Sequence, residues 1–366
     1  MRVELSDRSY DVWVARAMLG RLGEIAREAT AGRRAVVVAD ETVAGLYARA
    51  ATDSLVSAGM DTSLLTFPAG ERNKTLATYS SLMDQLFALR PRIDRRTLIV
   101  ALGGGVTGDI AGFIAATALR GLPWLQCPTT LLADVDASVG GKTAVDHPAG
   151  KNLIGAFHQP GGVLIDVEPL RTLPADELRG GLAECVKHGV IRDESLLDFL
   201  EANAEKILAC DAEVMTELIA RNVSIKAAVV ADDERESGSR AHLNFGHTIG
   251  HGIEAAGGYG GLSHGQAVAL GMVAECGIAV ARGLLDASGA GRVKRLLQRL
   301  GLPVRRTGLD AEEVWNIMQH DKKVLGGRVR MVLPADLGSV DVYDDVTADE
   351  VAEALKLPGA PGELKA

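Results

Sequence analysis

The chain is short of cysteine, of aromatic residues and of basic charge. Its four cysteines, Cys127, Cys185, Cys210 and Cys276, are far apart and form no Cys-x-x-Cys pair. That spacing argues against a zinc-thiolate cluster and a disulfide framework, and predicts buried, reduced thiols. The formal net charge is −9, which argues against general nucleic-acid binding because contact with a phosphate backbone needs a basic surface or stripe. A local basic pocket is still compatible with it. The longest apolar stretch, Ile110 to Leu119, is about half of what a bilayer crossing needs, and Met1 to Asp7 lacks a signal-peptide pattern. The expectation is a cytoplasmic protein with no membrane partner.

What the chain has in quantity is small apolar residues. Hydrophobic residues make up 47% and charged ones 24%, against 4% aromatics, a composition that buries a large core and carries no sign of disorder. A length of 366 residues predicts two domains of roughly 150 to 200 residues each.

Hydrophobic periodicity divides the chain. In the first half, short β-branched runs at 34–40, 63–67 and 97–102 alternate with helical patterns at 42–58 and 75–89. Such alternation with apolar strands predicts a parallel sheet covered on both faces, with ligands at its carboxyl edge. After a further strand at 163–167 the pattern turns helical over 176–203, 211–230, 243–256, 264–283, 288–300 and 310–320. A short strand at 328–334 and a last helix from about Ala348 follow. The predicted division is therefore 1–170, an α/β nucleotide-binding domain, and 171–366, a mostly helical domain.

Several segments concentrate residues capable of chemistry. Gly103, Gly105 and Gly108 follow a predicted strand and open a predicted helix, so bare amides and a helix N-terminus could face a pyrophosphate. The acidic partner usually found about 20 residues further on is missing, and Asp40, at the end of an earlier strand, is the better candidate for a ribose hydroxyl. His247 and His251 are spaced i, i+4 on one helix face, which suits a metal. His264 and Glu184 could complete a set of two histidines and one carboxylate with an open position. Lys142, Lys151, Asn152, Lys187, Arg240, Asn244, Lys322 and Lys323 lie beside Gly and Asn in otherwise apolar stretches and are candidates for holding a phosphate and a carboxylate. The acidic run 232–236 reads as a solvated loop.

Together these segments carry a specific resemblance. Leu102 to Asp109 (LGGGVTGD), Pro128 to Leu132 (PTTLL), Asp136 to Thr143 (DASVGGKT), Gly150 to Pro160 (GKNLIGAFHQP), Gly181 to Lys187 (GLAECVK), Leu243 to His251 (LNFGHTIGH) and Asp321 to Lys323 (DKK) resemble the 3-dehydroquinate synthase family of the shikimate pathway. The match runs from about Asp40 to Pro334. The resemblance implies an N-terminal Rossmann-like NAD domain and a helical C-terminal domain for metal and substrate, with the active site in the cleft between them, and an enzyme that is a homodimer.

It also implies roles for individual residues. Glu184, His247 and His264 would bind zinc or cobalt. Asp40, Glu71, Lys74, Gly104, Gly105, Val106, Asp109, Thr129, Thr130, Lys142, Lys151 and Thr172 would serve the NAD site. Asp136, Lys142, Asn152, Lys187, Arg240, Asn244, His251 and Lys322 would hold the substrate, and Arg120 would reach the phosphate of the neighbouring subunit. The chain departs from the family at Gln266, where many members have Glu, and at His188, which replaces a common aromatic.

The implied substrate is 3-deoxy-D-arabino-heptulosonate 7-phosphate. The competing expectations are another sugar-phosphate cyclase, of the amino-dehydroquinate, valiolone or deoxyinosose type, and a metal-dependent polyol dehydrogenase. Asn244, His251 and Asp321 to Lys323 favour the dehydroquinate branch. Val139 to Thr143 argues against the dehydrogenase.

Overall fold

The fold is that of a computed structural model describing residues 1–235, 238–257, 261–319 and 329–356. By contact the chain forms two compact units, Met1–Leu173 with Cys210–Arg235, and Pro174–Ala209 with Glu236–Ala366.

The first unit is built on a seven-stranded sheet. Its strands are β1 (Arg2–Val3), β2 (Tyr10–Ala15), β3 (Arg34–Asp40), β4 (Asp61–Phe67), β5 (Leu98–Gly103), β6 (Trp124–Pro128) and, after the hairpin β7 (Lys142–His147) and β8 (Gly150–Phe157), β9 (Gly162–Asp166). The order across the sheet is β1-β2-β9-β6-β5-β3-β4. Every pair is parallel except β1 with β2.

Apolar residues of both parities explain why this sheet is covered on both faces. Ala35, Val37, Ala39, Leu98, Val100 and Leu102 enter one core cluster with Leu22, Ile25 and Leu55. Their neighbours Val36, Val38, Ile99 and Ala101 enter a second with Leu82, Leu86, Ile110 and Trp124. Because side chains alternate along a strand, a continuous apolar run feeds two cores at once. Each fully buried Leu, Ile or Val contributes about 1.5–3 kcal/mol relative to exposure.

The second unit is mostly helical. It contains Ala175–Arg192, Glu194–Leu208, His247–Ala256, His264–Ala281, Ala287–Arg299, Ala311–Gln319 and Ala348–Lys356, with one hairpin of β10 (Met331–Asp336) and β11 (Ser339–Tyr343). The His264–Ala281 helix is long and apolar enough to cross a membrane by length and composition, but 67% of it is buried inside the fold. It is a core helix. Packing around it is close enough to reach backbone. A Cβ on Gly271 would lie 2.0 Å from the Gly246 carbonyl oxygen, and one on Gly265 would lie 2.3 Å from the Gly180 Cα.

Several expected elements differ in detail. The helical stretch at 176–203 is two helices, broken at Asp193, whose extended backbone (φ −152°, ψ 92°) and side chain, accepting from the Ser195 amide, start the second one. The 243–256 stretch begins as a 3-10 turn, Ser239–Asn244, and becomes α-helical only after Gly246 at φ +77°. The acidic run was expected as a solvated loop, but it starts inside the Ala212–Asp232 helix, Asp233 is buried, and Glu234 accepts from Arg8 and Gln159. Partners from elsewhere in the chain make that difference.

Replacing Gly271 with Ala should lower the stability of the metal-free protein by about 1–3 kcal/mol, the usual cost of overpacking, read as a lower thermal midpoint. An unchanged midpoint would show that the two helices can part without cost.

Candidate functional site

In the first unit the glycine segment leaves β5 at the sheet's carboxyl edge and opens the Gly105–Thr117 helix, with Gly104 as its N-cap. The first amides of any helix lack intrahelical acceptors, so Gly105 and Val106 present bare N–H groups there. A Cβ on Gly104 would meet Thr130 Cγ2 at 3.0 Å, so a side chain there would crowd the turn. Close by in sequence, at the end of β6, the Thr129 hydroxyl is buried and has no hydrogen-bond partner among the described residues. A glycine cradle with bare amides and an unused buried hydroxyl fits the phosphates of a dinucleotide.

Other expected nucleotide residues are already engaged. Asp40 Oδ1 accepts from the Thr42 and Val43 amides at 2.9 and 3.0 Å, capping the next helix. Thr172 Oγ1 accepts from the Tyr47 hydroxyl at 2.5 Å and donates to the Pro169 carbonyl at 3.0 Å. Glu71 is exposed in a short 3-10 turn, and Thr130 Oγ1 accepts from the Ala133 amide. Lys74 is buried, ion-pairs with Asp109 and donates to Asn152 Oδ1 at 2.5 Å. Burial works against the Lys74 ammonium, but Asp109 and Glu71 outweigh it and its pKa rises. Burial pushes the Asp109 carboxyl up against the opposing pull of Lys74. The two directions compete, and the direct contact favours the ionised pair.

The hairpin of β7 and β8 carries Lys142, Lys151 and Asn152. Asn152 takes a left-handed backbone, φ +56°, and its amide donates to Asp146 Oδ1 at 2.8 Å. Asp136 forms an ion pair with Lys226 from the Ala212–Asp232 helix. Lys226 escaped the sequence reading; its signal is being the one charge between Asn222 and Ala231 in an apolar stretch. Arg120 is exposed at φ +68°.

The second unit gathers a compact ionisable cluster. Glu184 and Lys187, one turn apart on the Ala175–Arg192 helix, are both buried and form an ion pair. Among the described residues neither Glu184 oxygen has a hydrogen-bond partner of good geometry. His247 Nε2 lies 3.4 Å and His264 Nε2 3.6 Å from Glu184 Oε1. These separations exceed the roughly 2.7–2.9 Å of a charge-assisted hydrogen bond. They match the roughly 3.3–3.6 Å between two ligands that each sit about 2.0–2.2 Å from a tetrahedral metal.

Ligand atoms of Glu184, His247 and His264 all fall within 4.8 Å of one another. The set therefore fits a divalent ion such as zinc or cobalt. His251 belongs to the same ring cluster, with centroids 5.4 Å from His247 and 5.8 Å from His264, but it is outside that three-ligand group. Arg240 is buried and Asn244 half-buried in the preceding turn. Lys322 and Lys323 lie outside the described residues.

The outer nitrogen of each metal-set histidine has a partner. His247 Nδ1 faces the Phe245 carbonyl at 3.1 Å, and His264 Nδ1 faces Glu254 Oε2 at 3.5 Å. This leaves both Nε2 atoms turned to Glu184. Glu254 was also missed in sequence. Gln266, the departure from the family, forms a capping box with Ser263 at the start of the His264 helix, a role Gln and Glu share.

Burial works to raise the Glu184 carboxyl, but Lys187 and His247 hold it well below the ordinary range. Burial drives His247 down to about 3. For His264 burial is outweighed by Glu184 and Glu254, which raise it to about 9.

Known proteins resemble the chain over nearly its full length. The family model described as 3-dehydroquinate synthase N-terminal matches residues 64–180, and that described as 3-dehydroquinate synthase C-terminal matches residues 181–324. The 3-dehydroquinate synthase of Desulforamulus reducens is 46% identical, with 97% of this chain and 99% of the relative covered. That of Symbiobacterium thermophilum is 47% identical over the same shares.

Among solved structures, 2-epi-5-epi-valiolone synthase from Streptomyces hygroscopicus subsp. jinggangensis, with NAD+ and Zn2+ bound, aligns at a TM-score of 0.87 and 30% identity over 96% of each chain. A 2-deoxy-scyllo-inosose synthase complexed with carbaglucose-6-phosphate, NAD+ and Co2+ aligns at 0.87 and 27%, over 97% of this chain and 99% of that one. A glycerol dehydrogenase from Schizosaccharomyces pombe, at 0.69 and 20% over 94% of this chain and 88% of that one, shares the fold.

At pH 7.5 the metal-free site should hold His264 as the imidazolium, with one proton more than the neutral ring, and His247 as the neutral imidazole. Metal binding requires both imidazoles neutral, so loading should release about one proton per ion. Calorimetry in buffers of different ionisation enthalpy checks this, and zero release would contradict the assignment of His264.

Proposed function

The chain belongs to the 3-dehydroquinate synthase family, and on that premise we propose that it converts 3-deoxy-D-arabino-heptulosonate 7-phosphate to 3-dehydroquinate and phosphate. The single observation that carries the reading is the joint presence, in one chain matched over nearly its full length, of the glycine cradle and the Glu184–His247–His264 set around a buried carboxylate. The enzyme is an NAD- and metal-dependent, phosphate-eliminating lyase. We carry the division near residue 170 as the functional boundary, with Cys210–Arg235 added to the first part.

When bound at Glu184, His247 and His264, a zinc or cobalt ion supplies Lewis acidity toward substrate hydroxyls. NAD, when bound at the glycine cradle, supplies a reversible hydride acceptor, so it is not consumed. The overall reaction is oxidation at C5, β-elimination of phosphate, reduction at C5 and intramolecular aldol closure.

The protein's residues supply binding and charge. Bare amides at Gly105 and Val106 and the Thr129 hydroxyl would hold the dinucleotide, with Asp40, Glu71, Lys74, Asp109, Thr130, Lys142, Lys151 and Thr172 around it. The Lys74–Asp109 pair, anchored to Asn152, would tie the nucleotide side of the site to the β8 residues that face substrate. Lys142, Asn152, Arg240, Asn244, His251 and Lys322 would hold the substrate's anionic groups and stabilise phosphate as it leaves. Buried cations act strongly here because little water screens them, and Arg240 and Lys187 are buried.

Asp136, paired with Lys226, would be oriented toward substrate by that lysine. Arg120 would reach the phosphate held by the neighbouring subunit of a homodimer. We also propose a cytoplasmic location, with which a reaction on a soluble sugar phosphate is compatible.

Metal-loaded protein given the heptulosonate phosphate and substoichiometric NAD should release one phosphate and form one 3-dehydroquinate per substrate, with no net NADH. His264→Ala should lose metal and turnover together. No phosphate from folded, metallated protein would reject the substrate and favour the other sugar-phosphate cyclases, whose products mass analysis distinguishes.

A further inference from the structure

After its first turn the His264–Ala281 helix carries a single charged residue, Glu275, in an otherwise apolar run from Ala267 to Ala281. Its side chain is completely buried, and it stands outside the three-ligand group. A carboxylate in such a place needs compensation. Glu275 Oε2 accepts from the Gly246 amide at 2.5 Å, and Oε1 faces the Ile249 amide at 3.4 Å. These are amides at the start of the helix that carries His247 as its first residue.

The Phe245–Gly246 peptide is engaged at both ends. Its N–H donates to Glu275, and its C=O faces His247 Nδ1 at 3.1 Å. A carbonyl oxygen can only accept, so this contact puts the hydrogen on Nδ1 and leaves the Nε2 lone pair for the site, where Nε2 lies 3.4 Å from Glu184 Oε1. The left-handed backbone of Gly246, φ +77°, orients the peptide this way, and its own carbonyl oxygen is packed against Gly271 of the opposite helix. One amide plane therefore connects a buried carboxylate to a metal-set imidazole.

We infer that Glu275 is a positioning residue of the metal centre, acting on His247 through the Phe245–Gly246 peptide. A carboxylate on the N–H side polarises the amide and increases the charge on its oxygen. The stronger acceptor tightens the Nδ1–H bond and makes Nε2 a better metal donor. The same contact fixes where the His247 helix begins relative to His264, because Glu275 and His264 share one helix. A neutral cap would hold the helix end without polarising the peptide. The inference rests on the metal assignment of Glu184, His247 and His264.

The test uses the full chain, wild type against Glu275→Gln, with His264→Ala as the control for the metal assignment. A glutamine keeps one acceptor but turns an amide N–H toward the other helix amide and removes the charge. The expected result is Zn2+ or Co2+ affinity lower by about 10–100-fold in chelator competition, together with a shifted visible spectrum of bound Co2+. Wild-type affinity and an unchanged Co2+ spectrum, with only the metal-free melting temperature lowered, would reduce Glu275 to a helix cap and overturn the inference. If instead His264→Ala binds metal like wild type, the metal assignment itself fails, and that outcome is separate.

A second measurement needs no variant. Phe245–Gly246 is the one Phe-Gly step in the chain, so carbonyl-13C phenylalanine with 15N glycine gives a single correlated NMR signal. Zinc loading should shift both its carbonyl carbon and its amide proton. A signal that does not move would overturn the relay even if Glu275→Gln fails to fold.

Discussion

The carboxylate of Glu184 is the constraint on which the second unit depends. It is fully buried, and an isolated charge there would cost several kcal/mol even after relaxation. Lys187 on the same helix, His247 and His264 supply the compensation. A buried pair broken by removing one partner typically costs about 3–5 kcal/mol, so the cluster ties stability to function. In the metal-free protein the proton on His264 is part of that balance. An incoming cation takes over its charge.

Three helices meet at this cluster, and each junction is a backbone contact. Gly265 lies on Gly180, and Gly271 lies on Gly246. Close helix approach at glycine fixes axial position more tightly than side-chain packing, because backbone has no rotamers to adjust. It lets ligands from three separate segments of sequence keep ångström-scale spacing. The first unit solves a different problem. Its strands bury apolar residues on both faces, and at the carboxyl edge, after the Gly104 turn and β6, the buried Thr129 hydroxyl is one of the polar groups left without a partner among the described residues.

Much of this was legible in the sequence, and the reasons for the rest are physical. The strands at 34–40 and 97–102 were legible because uninterrupted β-branched runs have one stable use. The i, i+4 pair His247 and His251 marked a helix face, but spacing alone left all three histidines open. The family resemblance put His251 with the substrate residues, and in the fold it lies beside the three-ligand group rather than in it. The β7–β8 hairpin was not legible, since Lys142 to Phe157 lacks clean alternation and its register is set by the partner strand. Lys226 and Glu275 were each a lone charge in an apolar helix. That pattern has no periodic signature, and its meaning depends on what the chain brings opposite.

The central claim is that a buried carboxylate and two imidazoles form the metal centre. X-ray absorption at the metal edge of the zinc- or cobalt-loaded protein tests it most directly. The account predicts two imidazole nitrogens and carboxylate or water oxygens at about 2.0–2.2 Å. Sulfur scattering at about 2.3 Å, or a shell of oxygens without imidazole, would contradict it.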